Sequence, residues 1–292
     1  MSADPRSSGT SSFGQVPSEP LLRELEDLAV SAARAAGRFI VEERPRSLGV
    51  VDTKSSVTDI VTVMDQQSEA LLRRLLLDAR PDDAILGEED GASDGTSGVT
   101  WVIDPIDGTV NYLYEIPAYC VSVAAVIGDA ATAGQWQPVA GAVCNPLTAE
   151  VFHSRLGGGA RVLRAGEDRA IRVNPVDVLL HSLVATGFGY LPEVRARQGE
   201  VVGALLPEIR DIRRAGSAAL DLCAVACGTV DAYYESGLNP WDLAAGWIVA
   251  TEAGALVTGL NDMPPGEAAV VAAGPGIHPL LLARLESLAP LR

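Results

Sequence analysis

The carboxylates of this chain gather where apolar runs meet turns. Residues 101–112 read W-V-I-D-P-I-D-G-T-V-N-Y. An apolar strand delivers Asp104 at its end, Pro105 bends the chain, and Asp107 returns three residues later, so that both carboxylates can face one point. Gly108 and Thr109 then offer backbone N–H groups where a helix can begin, a place suited to a phosphate. Glu88 and Glu89 follow Gly87 at the end of the preceding apolar run, and Pro240, Trp241 and Asp242 open a helix far along the chain. Hard carboxylate oxygens suit magnesium, and magnesium in turn holds phosphate oxygens. An Asp-x-x-Asp turn alone carries little weight, because turns favour Asp, Pro and Gly on conformational grounds. The combination of three segments is the specific signal.

The charge pattern leads to the same chemistry. Thirty-eight acidic residues against 22 basic ones leave a net charge of −16, which repels a nucleic-acid backbone and an anionic membrane alike. Lys54 is the only lysine, and no Lys or Arg falls between Pro81 and Ser154, a stretch with eleven carboxylates. Beside apolar strands such carboxylates are costly to bury unpaired, and a bound cation resolves the conflict. His153, His181 and His278 lie in no recognisable motif and read as ordinary surface or core residues. Cys120, Cys144, Cys223 and Cys227 sit in apolar surroundings and read as buried reduced thiols.

The elements that must position these groups follow from periodicity. Leu21, Leu22, Leu25, Leu28, Ala32, Ala36 and Phe39 predict a first amphipathic helix to about Val41. A loop carrying Lys54 follows. A second helix starts at about Thr62 and is stopped by Pro81. Strands are expected over 84–87, 99–103, 119–127, 139–144 and 150–154, with Gly157, Gly158 and Gly159 as a turn, which together suggest a mixed or antiparallel sheet. The later half alternates: a strand at 183–186, a helix to about Ile209, a short strand, a helix over 217–227, a strand at 231–235, a helix over 240–252 and a last helix near 280–288. Layers of helix and sheet are implied, with no linker marking a domain boundary. Residues 1–20, rich in Ser, Gly, Pro and Asp, are expected to form a disordered tail, and residues 21–292 one catalytic domain. With no apolar run of membrane-spanning length and no signal-peptide pattern, a soluble cytoplasmic protein is expected.

The Gly-Glu-Glu strand end, the W-V-I-D-P-I-D-G-T segment and the late Trp241-Asp242 pair together resemble the inositol monophosphatase family, in order and in spacing, from about Leu21 to the C-terminus. The resemblance implies an α/β fold, a layered αβαβα sandwich, and a lithium-sensitive phosphatase using Mg²⁺, about two or three ions per site. It also implies a homodimer acting on a small polyol phosphate. Carried over by matching motif, Glu88, Asp104 and the carbonyl of Ile106 hold one metal, and Asp104, Asp107 and Asp242 a second, with Glu89 in support. Thr109, oriented by Asp65, positions the attacking water, and Glu88 helps accept its proton. Lys54 approaches the metals from its loop. Gly216, Ser217, Ala218 and Glu235 contact the polyol, and Asp107 also reaches a hydroxyl. The segment G-S-A-A-L-D-L-C is closer to inositol phosphatases than to histidinol-phosphate phosphatases. Alternatives are a phosphatase for histidinol phosphate, fructose 1,6-bisphosphate or a nucleotide 3'-phosphate, or a non-catalytic regulatory partner of transcription machinery.

Overall fold

The computed structural model describes residues 10–11, 13–46, 48–54 and 60–288. Of the expected tail, residues 1–9 and 12 lie outside the described residues. β1 (Thr10–Ser11) pairs with β2 (Gly14–Gln15), and Phe13 packs against the core. Helix α1 (Glu19–Glu42) has Pro in its first turn and buries Leu22, Leu25, Ala29, Ala32, Ala33, Ala36 and Ile40 along one stripe. Its Gly37 is a contact requirement: a Cβ there would stand 2.9 Å from Cys144 Sγ on the underlying sheet. The hairpin of β3 (Val50–Thr53) and β4 (Ile60–Thr62) puts Lys54 just beyond β3, and residues 55–59 of that loop lie outside the described residues. Helix α2 (Val63–Ala79) opens on Thr62, whose hydroxyl accepts from the Met64 N–H while its own N–H donates to Asp65 Oδ2 at 2.8 Å. Such a reciprocal cap fixes the first turn of a helix.

An eight-stranded sheet follows: β5 (Ala84–Gly87), β6 (Gly91–Ser93), β7 (Val99–Asp107), β8 (Cys120–Gly128), β9 (Trp136–Asn145), β10 (Glu150–Arg155), β11 (Gly159–Arg164) and β12 (Glu167–Ala170), in spatial order β12-β11-β10-β9-β8-β7-β5-β6. Only β5 and β7 pair in parallel. The short helix α3 (Thr109–Leu113) leaves the end of β7. The second sheet has the order β14-β13-β15-β17-β16, built from β13 (Leu183–Thr186), β14 (Asp211–Arg213), β15 (Ala232–Glu235), β16 (Leu256–Thr258) and β17 (Val270–Ala273). Its helices are α4 (Pro192–Leu205), α5 (Ala218–Ala226), α6 (Pro240–Glu252) and α7 (His278–Ser287).

Alternation along the strands builds the layers, because successive side chains leave a strand on opposite faces. Val121, Val123, Ala125 and Ile127 of β8 pack with α1 and α2, whereas Cys120, Ala124 and Val126 join the layer of α5 and α6. Across that layer, Tyr233, Val270 and Ala272 of the second sheet complete the same core, and Tyr234, Val271 and Ala273 turn outward onto α4 and α7. The result is the expected αβαβα sandwich.

Several details depart from the sequence expectation: β1, β2 and the first residues of α1 fall within the expected tail, β3 and β4 form where a loop was expected, and β6 lies between expected strands. β7 does not stop at Ile103 but runs to Asp107, its pairing with β8 interrupted between Asp104 and Asp107. Pro105 has no N–H to give the ladder, so the bend appears as an irregularity inside the strand. β11 and β12 were not expected after the glycine turn; Glu167–Ala170 of β12 is exposed throughout and shows no apolar alternation, and β11 buries only Ala160 and Val162. β16 and β17 also escape: one has three residues, and the other is a continuous apolar run, which periodicity does not assign.

Candidate active site

The fold brings Asp104, Asp107 and Asp242 together although α5, β15 and much of the second sheet separate them in sequence. One oxygen from each lies within 4.8 Å of the others. Asp104 Oδ1 accepts the Ile106 N–H at 2.9 Å, which holds it against the bend of β7. Asp242 stands in the first turn of α6, where Asp242 Oδ2 accepts the Asn239 N–H at 2.6 Å as a helix cap. Asp107 Oδ2 accepts from Ser217 Oγ at 2.6 Å and from the Ala219 N–H at 2.8 Å. Burial, reinforced by the Glu88, Asp107 and Asp242 carboxylates, pushes Asp104 well above the usual carboxylate range, and Asp242 moves the same way for the same reasons. Among the described residues no Lys or Arg forms an ion pair with any of the three. Hard oxygen donors this close, with no cation of their own, fit a divalent ion such as magnesium.

Glu88 and Glu89 follow β5, and Lys54 Nζ bridges them at 2.7 and 2.6 Å. Burial pushes Glu88 up to about 7, against the pull of the Lys54 ammonium. Glu69, which sequence reasoning missed, holds this turn from behind. It is fully buried, accepts the N–H groups of Glu89 and Asp90 at 2.8 and 2.9 Å, and pairs with Arg73. Gly87 lies against its carboxylate, where any side chain would collide. The available signal was the helical spacing of Asp65, Glu69 and Arg73 on α2.

Thr109 Oγ1 stands 3.0 Å from Asp65 Oδ1 and 3.0 Å from the Ile106 carbonyl. Asp65 is buried, and its other oxygen takes the N–H and hydroxyl of Thr62. Burial raises its carboxyl and the Thr62 and Thr109 hydrogen bonds oppose the rise. One aspartate therefore caps α2 and fixes the Thr109 hydroxyl.

These groups border a cavity of about 750 Å³, whose wall includes Lys54, Glu88, Asp107, Gly108, Asp242 and Glu235. Gly108 adopts φ +95°, the left-handed region that favours glycine, and a Cβ there would stand 2.9 Å from the Ala118 carbonyl. Thr109 and Asp104 adjoin the lining residues Gly108 and Asp107. Gly216, Ser217 and Ala218 at the head of α5 line the same cavity beside Asp107. Asn111, another residue missed in the sequence, holds that loop by donating to the carbonyls of Ala118 and Ala215 at 2.6 and 2.9 Å. The Ser217 hydroxyl is engaged with Asp107. Glu235, at the end of β15, accepts from Tyr233 Oη at 2.6 Å, and burial pushes it up to about 7 while Arg214 pulls it down. Arg214 also lines the cavity, with its guanidinium 5.8 Å from the Phe188 ring centre. Asn239 and Trp241 line the cavity as well.

The histidines stay outside this chemistry: His153 pairs with Glu26 at 2.7 Å, and His278 Nε2 lies 3.1 Å from Thr258 Oγ1. All four cysteines are free thiols. Cys120 is the unexpected one, with Sγ 3.7 Å from Asp107 Oδ2.

The sequence profile of the inositol monophosphatase family matches residues 21–289. The Inositol-1-monophosphatase SuhB of Mycobacterium tuberculosis is 46% identical over 273 residues, covering 89% of this chain and 91% of that protein. The Nus factor SuhB of Vibrio cholerae is 35% identical, covering 87% and 93%. Among solved structures, Mycobacterium tuberculosis SuhB superposes with a TM-score of 0.74 at 40% identity over 94% of this chain and 98% of that one. The inositol monophosphatase of Anabaena gives 0.76 at 33% identity over 93% and 98%. Sequence profile, relatives and fold agree with the acidic centre just described, and this chain belongs to the inositol monophosphatase family of phosphatases.

Proposed function

We propose that this chain is a Mg²⁺-dependent, lithium-sensitive phosphomonoesterase that hydrolyses inositol monophosphate to inositol and phosphate. The observation that carries the reading is the convergence of Asp104, Asp107 and Asp242 within 4.8 Å, with Asp107 and Asp242 at the wall of one cavity that Glu88 and Glu235 also line. Glu88, Asp104 and the Ile106 carbonyl would hold one cation, and Asp104, Asp107 and Asp242 another. Bound magnesium offsets the charge of the phosphate oxygens and makes water more acidic. Thr109 Oγ1, held by Asp65, orients the attacking water, and Glu88 accepts its proton. Gly108 and Thr109 at the head of α3 face the phosphate, and Lys54 adds positive charge at the rim. The loop of Gly216, Ser217 and Ala218, with Asp107 and Glu235, binds the polyol hydroxyls.

Supporting the substrate assignment are the family membership and the relatives named inositol-1-monophosphatase. The homodimer rests on the family resemblance, and the cytoplasmic location stays the expectation from the sequence; no helix among the described residues is long and apolar enough to cross a membrane. The test is phosphate release from inositol 1-phosphate, histidinol phosphate, fructose 1,6-bisphosphate and a nucleotide 3'-phosphate, with and without Mg²⁺. No Mg²⁺-dependent release from any of them would refute the reading.

The relatives named Nus factor SuhB favour a second reading, a regulatory contact with transcription machinery. With a net charge of −16 the contact would be with protein and not with nucleic acid. Co-purification of the chain with RNA polymerase, measured separately from turnover, tests it.

A further inference from the structure

We propose that Ser217, backed by Cys120, is a positioning residue for Asp107: together they hold one carboxylate oxygen inside the protein and leave the other to a bound cation. The inference rests on the reading of the aspartate trio as a cation site, and it concerns how this chain aims one member of it.

Three donors converge on the same atom. Asp107 Oδ2 takes the Ser217 hydroxyl at 2.6 Å, the Ala219 N–H at 2.8 Å and the Cys120 thiol at 3.7 Å. A carboxylate oxygen has about two lone-pair sites, so these donors saturate Oδ2 and leave Oδ1 as the oxygen able to coordinate. The fold dictates each position. Cys120 is the cross-strand partner of Asp107 in the β7–β8 ladder, just past the interruption at Pro105, so its side chain is delivered to Asp107 by register. Ser217 is the N-cap of α5, and its Oγ also accepts the Leu220 N–H at 3.3 Å. Ser217 is 2% exposed and Cys120 is fully buried, with Oγ and Sγ 3.5 Å apart. At that burial solvent has little access to these donors, and all three hold the carboxylate from one side.

The consequence is a mechanical link. The hydroxyl that aims Asp107 also starts the helix whose first residues line the cavity beside it, so the cation site and the polyol wall are adjusted by one side chain. Groups that orient metal ligands from behind typically change metal affinity by about ten- to a hundredfold when removed.

The test is Mn²⁺ binding, followed by the loss of free-ion electron paramagnetic resonance signal, on the full chain and on S217A, S217T, S217G and C120A. Melting in EDTA reports the fold independently. The Mn²⁺ Kd should rise about tenfold or more in S217A and S217G, stay within about threefold in S217T, and rise about threefold in C120A, whose thiol is the weaker donor. S217G keeps the test open if S217A folds poorly, because Gly serves nearly as well at an N-cap. Wild-type affinity in both S217A and S217G would overturn the proposal, as would an S217T variant that melts normally yet binds as weakly as S217A. If the wild-type chain itself binds no Mn²⁺, the cation-site reading falls along with it.

Discussion

Replacing Asp242 by Asn separates the electrostatic role of the trio from its structural one. The side-chain oxygen that caps α6 by accepting the Asn239 N–H is retained, and only the charge is lost. Two full charges 4.8 Å apart repel by about 3.5 kcal/mol at an effective dielectric of about 20. Asp242 faces two such neighbours, and burial together with these carboxylates pushes both Asp104 and Asp242 well above the usual carboxylate range. The substitution should therefore act in opposite directions on two observables. Melting in EDTA at pH 8 should occur at a higher temperature than wild type, since one repelling charge is gone. Turnover at saturating Mg²⁺ should fall about a thousandfold, which corresponds to about 4 kcal/mol of lost transition-state stabilisation. Calorimetry in EDTA, Mg²⁺ titration of kcat and circular dichroism of D242N measure the three quantities. Near-normal turnover at low Mg²⁺ would refute the shared centre, and a lower EDTA melting temperature with intact secondary structure would refute the repulsion argument.

Other expectations follow from the same groups. The pKa values of Glu88 and Glu235 are raised to about 7 in the folded protein, so each favours the folded state below the unfolded value of about 4.3 and loses that contribution as pH rises through about 7. Metal-free protein should thus melt at progressively lower temperature from pH 5 to pH 8, and added Mg²⁺ should remove most of the slope; a flat profile in EDTA contradicts it. K54Q should lower the half-saturating Mg²⁺ concentration about threefold or more, since the ammonium occupies Glu88 Oε1 at 2.7 Å and competes for it. An unchanged Mg²⁺ response would return Lys54 to an ordinary surface ion pair. Inositol 1-phosphate should be hydrolysed with a higher kcat/KM than histidinol phosphate, and the reverse order would leave the family intact and the substrate assignment wrong.

Legibility in the sequence followed the physics of each element. Helices α1, α2 and α6 were readable because a single apolar stripe, a cap and a proline each mark them locally. β12 was not, because an exposed edge strand is defined by its neighbour β11 and not by its own side chains. The long reach of β7 to Asp107 was likewise hidden, since Pro105 looks like a terminator until the partner strand resumes pairing at Cys120.

The site divides along the same line. Asp104, Asp107, Glu88 and Asp242 could be singled out because carboxylates gathered at the ends of apolar runs and at a helix start suit a hard cation, and that pattern leaves a mark in the sequence. Residues that act by holding other residues leave a weaker one. Glu69 reads as one acidic residue on a helix, Asn111 as one polar residue after a turn, and Cys120 as one more apolar strand position. Each becomes meaningful only through a partner distant in sequence: the N–H groups beyond Gly87, the loop at Ala215, and a carboxylate across the ladder. Ser217 shows the limit most directly. Its position in the chain indicated the polyol wall, and it lies there, but its hydroxyl has one proton and Asp107 Oδ2 is 2.6 Å away. A buried carboxylate oxygen outcompetes a ligand hydroxyl for that proton, because leaving it short of a donor costs more than a solvent-accessible hydroxyl gains. Which of two adjacent roles a side chain takes is thus decided by the burial of its neighbour, a quantity that exists only after the two sheets have packed.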